Sequence, residues 1–112
     1  MKRCIIVRAR VEGWHKWPEA PVHRAYLRQL HHHYFRVEFE IEVKDEGREI
    51  EFHDFRKMVK AAFERAWVGN QTGSCETLAR TVGEHIEEAY PGRWWSCRVW
   101  EDSECGARVE SE

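Results

Sequence analysis

Three contiguous histidines, His31, His32 and His33, are the feature of this chain best suited to chemistry. His31 and His33 are separated by one residue, so on a strand their side chains project from the same face. Two imidazoles standing side by side on one face can chelate a metal without bending the backbone. The pair continues an odd-numbered apolar row, Phe35, Val37, Phe39, Ile41 and Val43. A face that turns from apolar to imidazole at one end suggests a pocket there. His15 stands in the same phase, because Ile5, Val7, Ala9 and Val11 lead through Gly13 to it. With the two segments paired antiparallel, the end of the first meets the start of the second, and His15 joins His31 and His33. Three neutral imidazoles with an open fourth position are the pattern of a catalytic rather than a structural zinc site. The competing readings are a solvated loop patch or part of a purification tag. A tag is disfavoured, because the run is internal, only three long, and opens a strong strand.

Glu101 follows the same logic. Trp95, Cys97 and Val99 share a strand face and Glu101 is the next residue on it. A carboxylate ending an apolar face can accept paired N–H bonds from a guanidine-like ring edge, as in a purine or pterin. The alternative is a strand-end glutamate in water. His23, His53 and His85 show no such convergence and read as solvated or structural. The four cysteines, Cys4, Cys75, Cys97 and Cys105, contain no Cys-x-x-Cys pair, so a thiolate zinc knuckle is not expected and reduced core thiols are.

These groups need elements to hold them. The residues from Cys4 to Gly13 alternate as a half-buried strand, and Trp14 to Pro21, with two prolines, reads as a loop. Val22 to Gln29 suits a short helical turn. The period of two from His31 to Val43 predicts the strongest strand, followed by a turn at residues 44–47 and a short return strand at residues 48–52. Spacing then changes: Phe55, Met58, Val59, Ala62, Phe63, Ala66 and Trp67 predict a helix ending near Gly69-Asn70. Ser74 reads as the N-cap of a second helix with Glu76 in its first turn and an apolar stripe of Leu78, Val82, Ile86, Ala89 and Tyr90; Pro91-Gly92 ends it. Residues 93–101 and 105–110 form a last hairpin through Asp102-Ser103-Glu104. The order predicts a single α+β domain spanning 1–112, with an antiparallel sheet and both helices on one face.

Composition narrows the function classes. Eighteen Lys and Arg against 20 Asp and Glu leave a net charge of −2, so no basic field for nucleic acid is present. No apolar run approaches the roughly 18–20 residues of a membrane span. Met1-Lys2-Arg3 run straight into alternating residues, so no secretory signal and a cytoplasmic protein are expected.

With these elements in place, five segments resemble the 6-pyruvoyl-tetrahydropterin synthase / 6-carboxy-tetrahydropterin synthase family, in that family's order. Val11-Glu12-Gly13-Trp14-His15 resembles its first zinc-histidine segment, and Leu30-His31-His32-His33-Tyr34-Phe35 its Leu-His-x-His-x-Phe element. Ile50-Glu51-Phe52 and Ser74-Cys75-Glu76-Thr77-Leu78-Ala79 are similar to the segments that open its two helices. Val99-Trp100-Glu101-Asp102 with Gly106-Ala107 resembles its last hairpin, whose Glu anchors the pterin. The resemblance implies the tunnelling fold, with ββααββ protomers closing around a barrel, usually as a homohexamer, and Arg8, Arg10, Arg36, Glu38 and Glu40 lining the tunnel. It implies Zn²⁺ on His15, His31 and His33, a pterin- or purine-like ligand on Glu101, and Ser74, Cys75 and Glu76 at the pocket wall.

Two departures accompany the resemblance. The catalytic Cys expected four residues before His31 is Leu27, and the Asp-His pair expected between the helices is missing from residues 67–72. Cys75 is the substitute candidate, because a helix N-terminus lowers a thiol's pKa. The chain is therefore expected to be a synthase-like zinc enzyme or, alternatively, a non-catalytic protein that holds a purine, pterin or nucleotide.

Overall fold

A computed structural model describes residues 1–69 and 72–112. The two period-two segments become strands β1 (Arg3–His15) and β2 (His31–Val43), antiparallel along their full lengths from Arg3 opposite Val43 to His15 opposite His31. Trp14 and His15, expected in the loop, belong to β1, because His32 and His31 stand opposite to pair with them. Two short 3₁₀ turns, kinked at Arg24, occupy Val22–Arg28. Helices α1 (Phe52–Gly69) and α2 (Cys75–Ala89) follow, then β3 (Trp95–Glu101) and β4 (Cys105–Glu110). The sheet order is β1-β2-β3-β4, each neighbouring pair antiparallel. This is the expected α+β arrangement of four strands with two helices between the second and third. The end of α1 was expected at Gly69-Asn70; Asn70 lies outside the described residues.

The odd-numbered strand residues meet the helices. Phe35, Phe39, Ile41, Cys97 and Val99 are completely buried, together with Val59, Phe63, Ala79 and Val82 from the helices. Phe39 stacks on Trp95 at 5.7 Å and packs edge-on against Phe55 at 5.8 Å, while Phe35 meets Phe63 at 5.5 Å. Each such ring contributes about 1.5–3 kcal/mol by leaving water. The even-numbered face carries no helix and is charged, although Glu38 on it is buried between Arg8 and Arg98. Burial opposes ionisation of Glu38, but hydrogen bonds from the two guanidiniums outweigh it and hold the carboxyl below the usual range.

Two local expectations are corrected. Residues 48–51 form no return strand, with bends at 49 and 50, and Phe52 opens α1. Arg48 sits at φ 60°, which breaks an extended run. The side chains of this stretch serve other ends: Glu49 accepts from Lys44 N and pairs with both arms of Arg93, and Glu51 accepts from His53 N and Asp54 N. Glu51 thus caps α1, and its carboxyl is held below the usual range chiefly by the His53 amide. Ala89 is exposed rather than part of the α2 stripe; Ala79 and Gly83 fill the inward face instead. Ser74 caps α2 as expected, accepting from Thr77 N at 3.2 Å. Of the four free cysteines only Cys97 is fully buried, so the thiols are not mostly core fillers. Among the described residues, no helix is long and apolar enough to cross a membrane.

Gly83 lets α2 press onto the sheet: a Cβ there would stand 2.0–2.4 Å from three atoms of the Trp95 ring. Gly83→Ala should therefore lower stability by about 1–3 kcal/mol, although alanine alone favours a helix. Thermal denaturation checks this; an unchanged or raised Tm would mean that Trp95 yields without cost.

Candidate metal centre

The β1–β2 register puts His15 directly opposite His31, and Gly13 opposite His33. Gly13 leaves room for Trp67 of α1, whose ring atoms would lie 2.9 Å from a Cβ there and whose Nε1 donates to Trp14 O at 2.9 Å. The three imidazoles converge at this end of the sheet, with ring centroids 4.5 Å apart for His31–His33, 5.7 Å for His15–His31 and 6.0 Å for His15–His33. One nitrogen of each lies within 4.8 Å of those of the other two, so modest side-chain rotation brings them to the spacing of three bonds of about 2.0–2.1 Å to one ion.

Each ring has a second contact that orients it. His15 Nε2 donates to Gly73 O at 2.7 Å, His31 Nδ1 to Gln29 O at 2.8 Å, and His33 Nδ1 to Asp102 Oδ2 at 2.6 Å. Carbonyl and carboxylate oxygens only accept, so these bonds place the proton on the named nitrogen and leave a lone pair on the other. That is how metal-binding histidines are ordinarily held. His15 Nδ1 and His33 Nε2 are buried without a hydrogen-bond partner, an arrangement that costs stability unless a ligand completes it. The donor set fits Zn²⁺: three neutral nitrogens, borderline-soft, with space on the fourth side.

Asp102 is given no role in the sequence reading, where it appears in the last turn and at the end of the Val99-Trp100-Glu101-Asp102 segment. It sits at φ 51°, and its backbone and carboxylate both bond to Tyr34: Asp102 N donates to Tyr34 O at 2.9 Å, and Tyr34 N to Oδ1 at 3.0 Å. The Tyr34 amide first, then His33, holds the Asp102 carboxyl below the usual range. An acid just beyond Glu101 was the available signal; the β2–β3 register that aims it at His33 was not readable.

Glu101 pairs with Phe35 in the sheet and faces the histidines. Its two oxygens stand 3.7 Å from His15 Nδ1 and 3.7 Å from His33 Nε2, beyond hydrogen bonding but on the same centre. Beside them lies a cavity of about 450 Å³ whose lining includes His15, His31, Ser74, Cys75, Glu76 and Glu101; His33 is not part of that lining and meets the group through His15 and His31. Trp17, Thr72, Cys105 and Gly106 also line it and were not anticipated. Leu27 is there too, held by a bond from Trp17 N to Leu27 O at 2.8 Å. The expectation of an acidified Cys75 is overturned. Burial first, then the adjacent Glu101 carboxylate, pushes its thiol up to about 12, so it is not a thiolate at neutral pH despite its place at the start of α2. Among the expected bystanders, His23 and His53 are exposed and His85 is half-buried.

Comparison of the chain with protein-family models finds no match, and comparison with curated proteins finds no significant one.

His33→Ala should lose most of the metal that the wild-type chain binds, since two imidazoles hold zinc far less tightly than three. Asp102→Asn keeps the shape and removes the charge behind His33, and should weaken the affinity about 10- to 100-fold. Competition with a chromophoric chelator measures both; equal affinities in all three proteins would exclude this centre.

Proposed function

We propose that the chain is a divergent member of the 6-pyruvoyl-tetrahydropterin synthase / 6-carboxy-tetrahydropterin synthase family, a zinc-dependent cytoplasmic protein with the tunnelling fold that acts on a pterin- or purine-type substrate. The observation that carries this reading is the cluster of three oriented imidazoles, two of which, His15 and His31, line a cavity that also receives the Glu101 carboxylate. Bound Zn²⁺ would polarise a carbonyl or hydroxyl pair on the substrate side chain, or activate water. His15, His31 and His33 hold the ion, with Gly73 O, Gln29 O and Asp102 orienting them. Glu101 accepts the paired N–H groups of the ring, and Ser74 and Glu76, at the start of α2, bound the pocket.

A second reading is non-catalytic binding of a purine, pterin or nucleotide, and two observations favour it. Leu27, which cannot exchange a proton, lines the cavity where the family places its catalytic Cys. Cys75, the substitute, is held protonated by its burial and by Glu101. The intact triad favours the enzyme, since simple binding does not require an open metal position.

Calorimetry with a panel of pterins and purines, beside chromatography of dihydroneopterin triphosphate incubated with protein and zinc, separates the two. Glu101→Gln should weaken ring binding by about 2–4 kcal/mol, roughly 30- to 1,000-fold. Unchanged binding would remove Glu101 from the site, and absence of a 6-substituted tetrahydropterin product would favour the binder.

A ring-shaped homo-oligomer, with a hexamer expected, belongs to the same proposal. β1 and β4 are the outer strands of the sheet, and closure around a barrel removes such edges. Light scattering at micromolar concentration should give a multimer mass; a monomer would refute it.

A further inference from the structure

The face of the sheet opposite the helices carries a second concave site, independent of the metal centre. Its cavity of about 390 Å³ is lined by Arg8, Arg10, Arg36, Arg56, Trp100 and Ser103, with Glu38 as the acidic member. Glu38 is already engaged by Arg8 at 2.7 Å and by Arg98. Arg10 and Arg36 are directly opposite each other across β1 and β2. Like charges in that position repel and destabilise a sheet. Arg10 lies over the Tyr34 ring at 4.2 Å, a contact that leaves its N–H groups without a carboxylate among the described residues. Arg36 has no hydrogen bond, ion pair or ring contact among the described residues. Arg56 reaches from α1 around the edge of β1, fixed by a bond from its Nε to Arg8 O at 2.7 Å.

Trp100 stands opposite Arg36 on β3, half-buried, and opposite Gly106 on β4. A Cβ at Gly106 would come within 2.8–2.9 Å of two indole atoms, so the missing side chain is what allows the ring to lie on β4 beside the arginines. Ser103 enters from the β3–β4 turn, where it holds φ 67°.

We propose that this cavity binds a phosphorylated aromatic compound of the nucleoside phosphate class, with the phosphoryl oxygens on Arg10 and Arg36 and the planar ring on Trp100. Paired guanidiniums present forked donors that match phosphoryl oxygens, and the anion removes the repulsion that the empty pair imposes. An aromatic face adds stacking that any planar base can use. The size agrees, since cavities of roughly 300–1,000 Å³ hold small organic ligands. Neither the metal nor Glu101 takes part.

The test titrates chelator-treated protein with inorganic phosphate, pyrophosphate, adenosine monophosphate and adenosine by calorimetry, at low and moderate salt. The expected order of affinity places adenosine monophosphate above inorganic phosphate, with adenosine weakest. Arg10→Gln/Arg36→Gln should weaken adenosine monophosphate about 10- to 100-fold, the loss of one or two charge-assisted bonds. Its ligand-free Tm should be equal or higher, because the like-charge pair is gone. Trp100→Leu should remove the advantage of adenosine monophosphate over inorganic phosphate while leaving phosphate binding intact. The proposal is overturned if no phosphate-class ligand binds, if the double variant binds as wild type does, or if binding requires restored zinc. A salt-sensitive change of oligomer mass in the double variant, without phosphate-class binding, would assign the arginines to carboxylates of a second copy and likewise overturn it.

Discussion

The thirteen-residue antiparallel register of β1 on β2 is the constraint on which the rest of the molecule depends. Side chains on a strand alternate with a period of two, so a slip of one residue would turn His15 to the opposite face and expose the row of Val7, Ala9 and Val11. Burying that row against Phe55, Val59 and Phe63 enforces the register through the hydrophobic effect. The position of three imidazoles is thereby set by apolar packing some distance away.

The same alternation divides the domain into two chemically different faces. Residues 99–103 show this at its sharpest, since Val99 enters the core, Trp100 lies on the open face, and Glu101 faces the histidines. Asp102 and Ser103 then take left-handed backbone angles that turn the chain into β4. Those angles send the Asp102 carboxylate to His33 and Ser103 to the arginine cavity. A single turn therefore supports both sites, and its two non-glycine left-handed residues are held by the paired Tyr34–Asp102 bonds.

Orientation distinguishes the candidate metal centre from a mere cluster of histidines. A surface patch of imidazoles would leave both nitrogens of each ring to water. Here one nitrogen of each ring is committed to a fixed acceptor, and two of the opposite nitrogens are buried without one. Buried polar groups without partners are rare because each loses its hydration for nothing. Cys75 shows the opposite arrangement in the same cavity: its surroundings favour the neutral thiol, because burial and a carboxylate both disfavour a nearby negative charge. In this one cavity, then, the histidines could hold a cation while the thiol a short distance away stays uncharged.

The strands, both helices, the Ser74 cap and the shared phase of His15, His31 and His33 were all legible in the amino-acid order, because periodicity and capping are local properties. The limits of that legibility were local as well. Arg48 in a left-handed conformation and Glu51 capping α1 replaced the expected return strand, since side chain–backbone bonds there compete with a ladder. Contacts between strands far apart in sequence were decided only by the tertiary structure. The β2–β3 register brought Asp102 to His33 and Glu101 to the triad, and depends on how the helices fill the space above the sheet. The raised thiol of Cys75 and the open pair Arg10–Arg36 have the same origin, because desolvation and cross-strand repulsion exist only once distant segments are packed together.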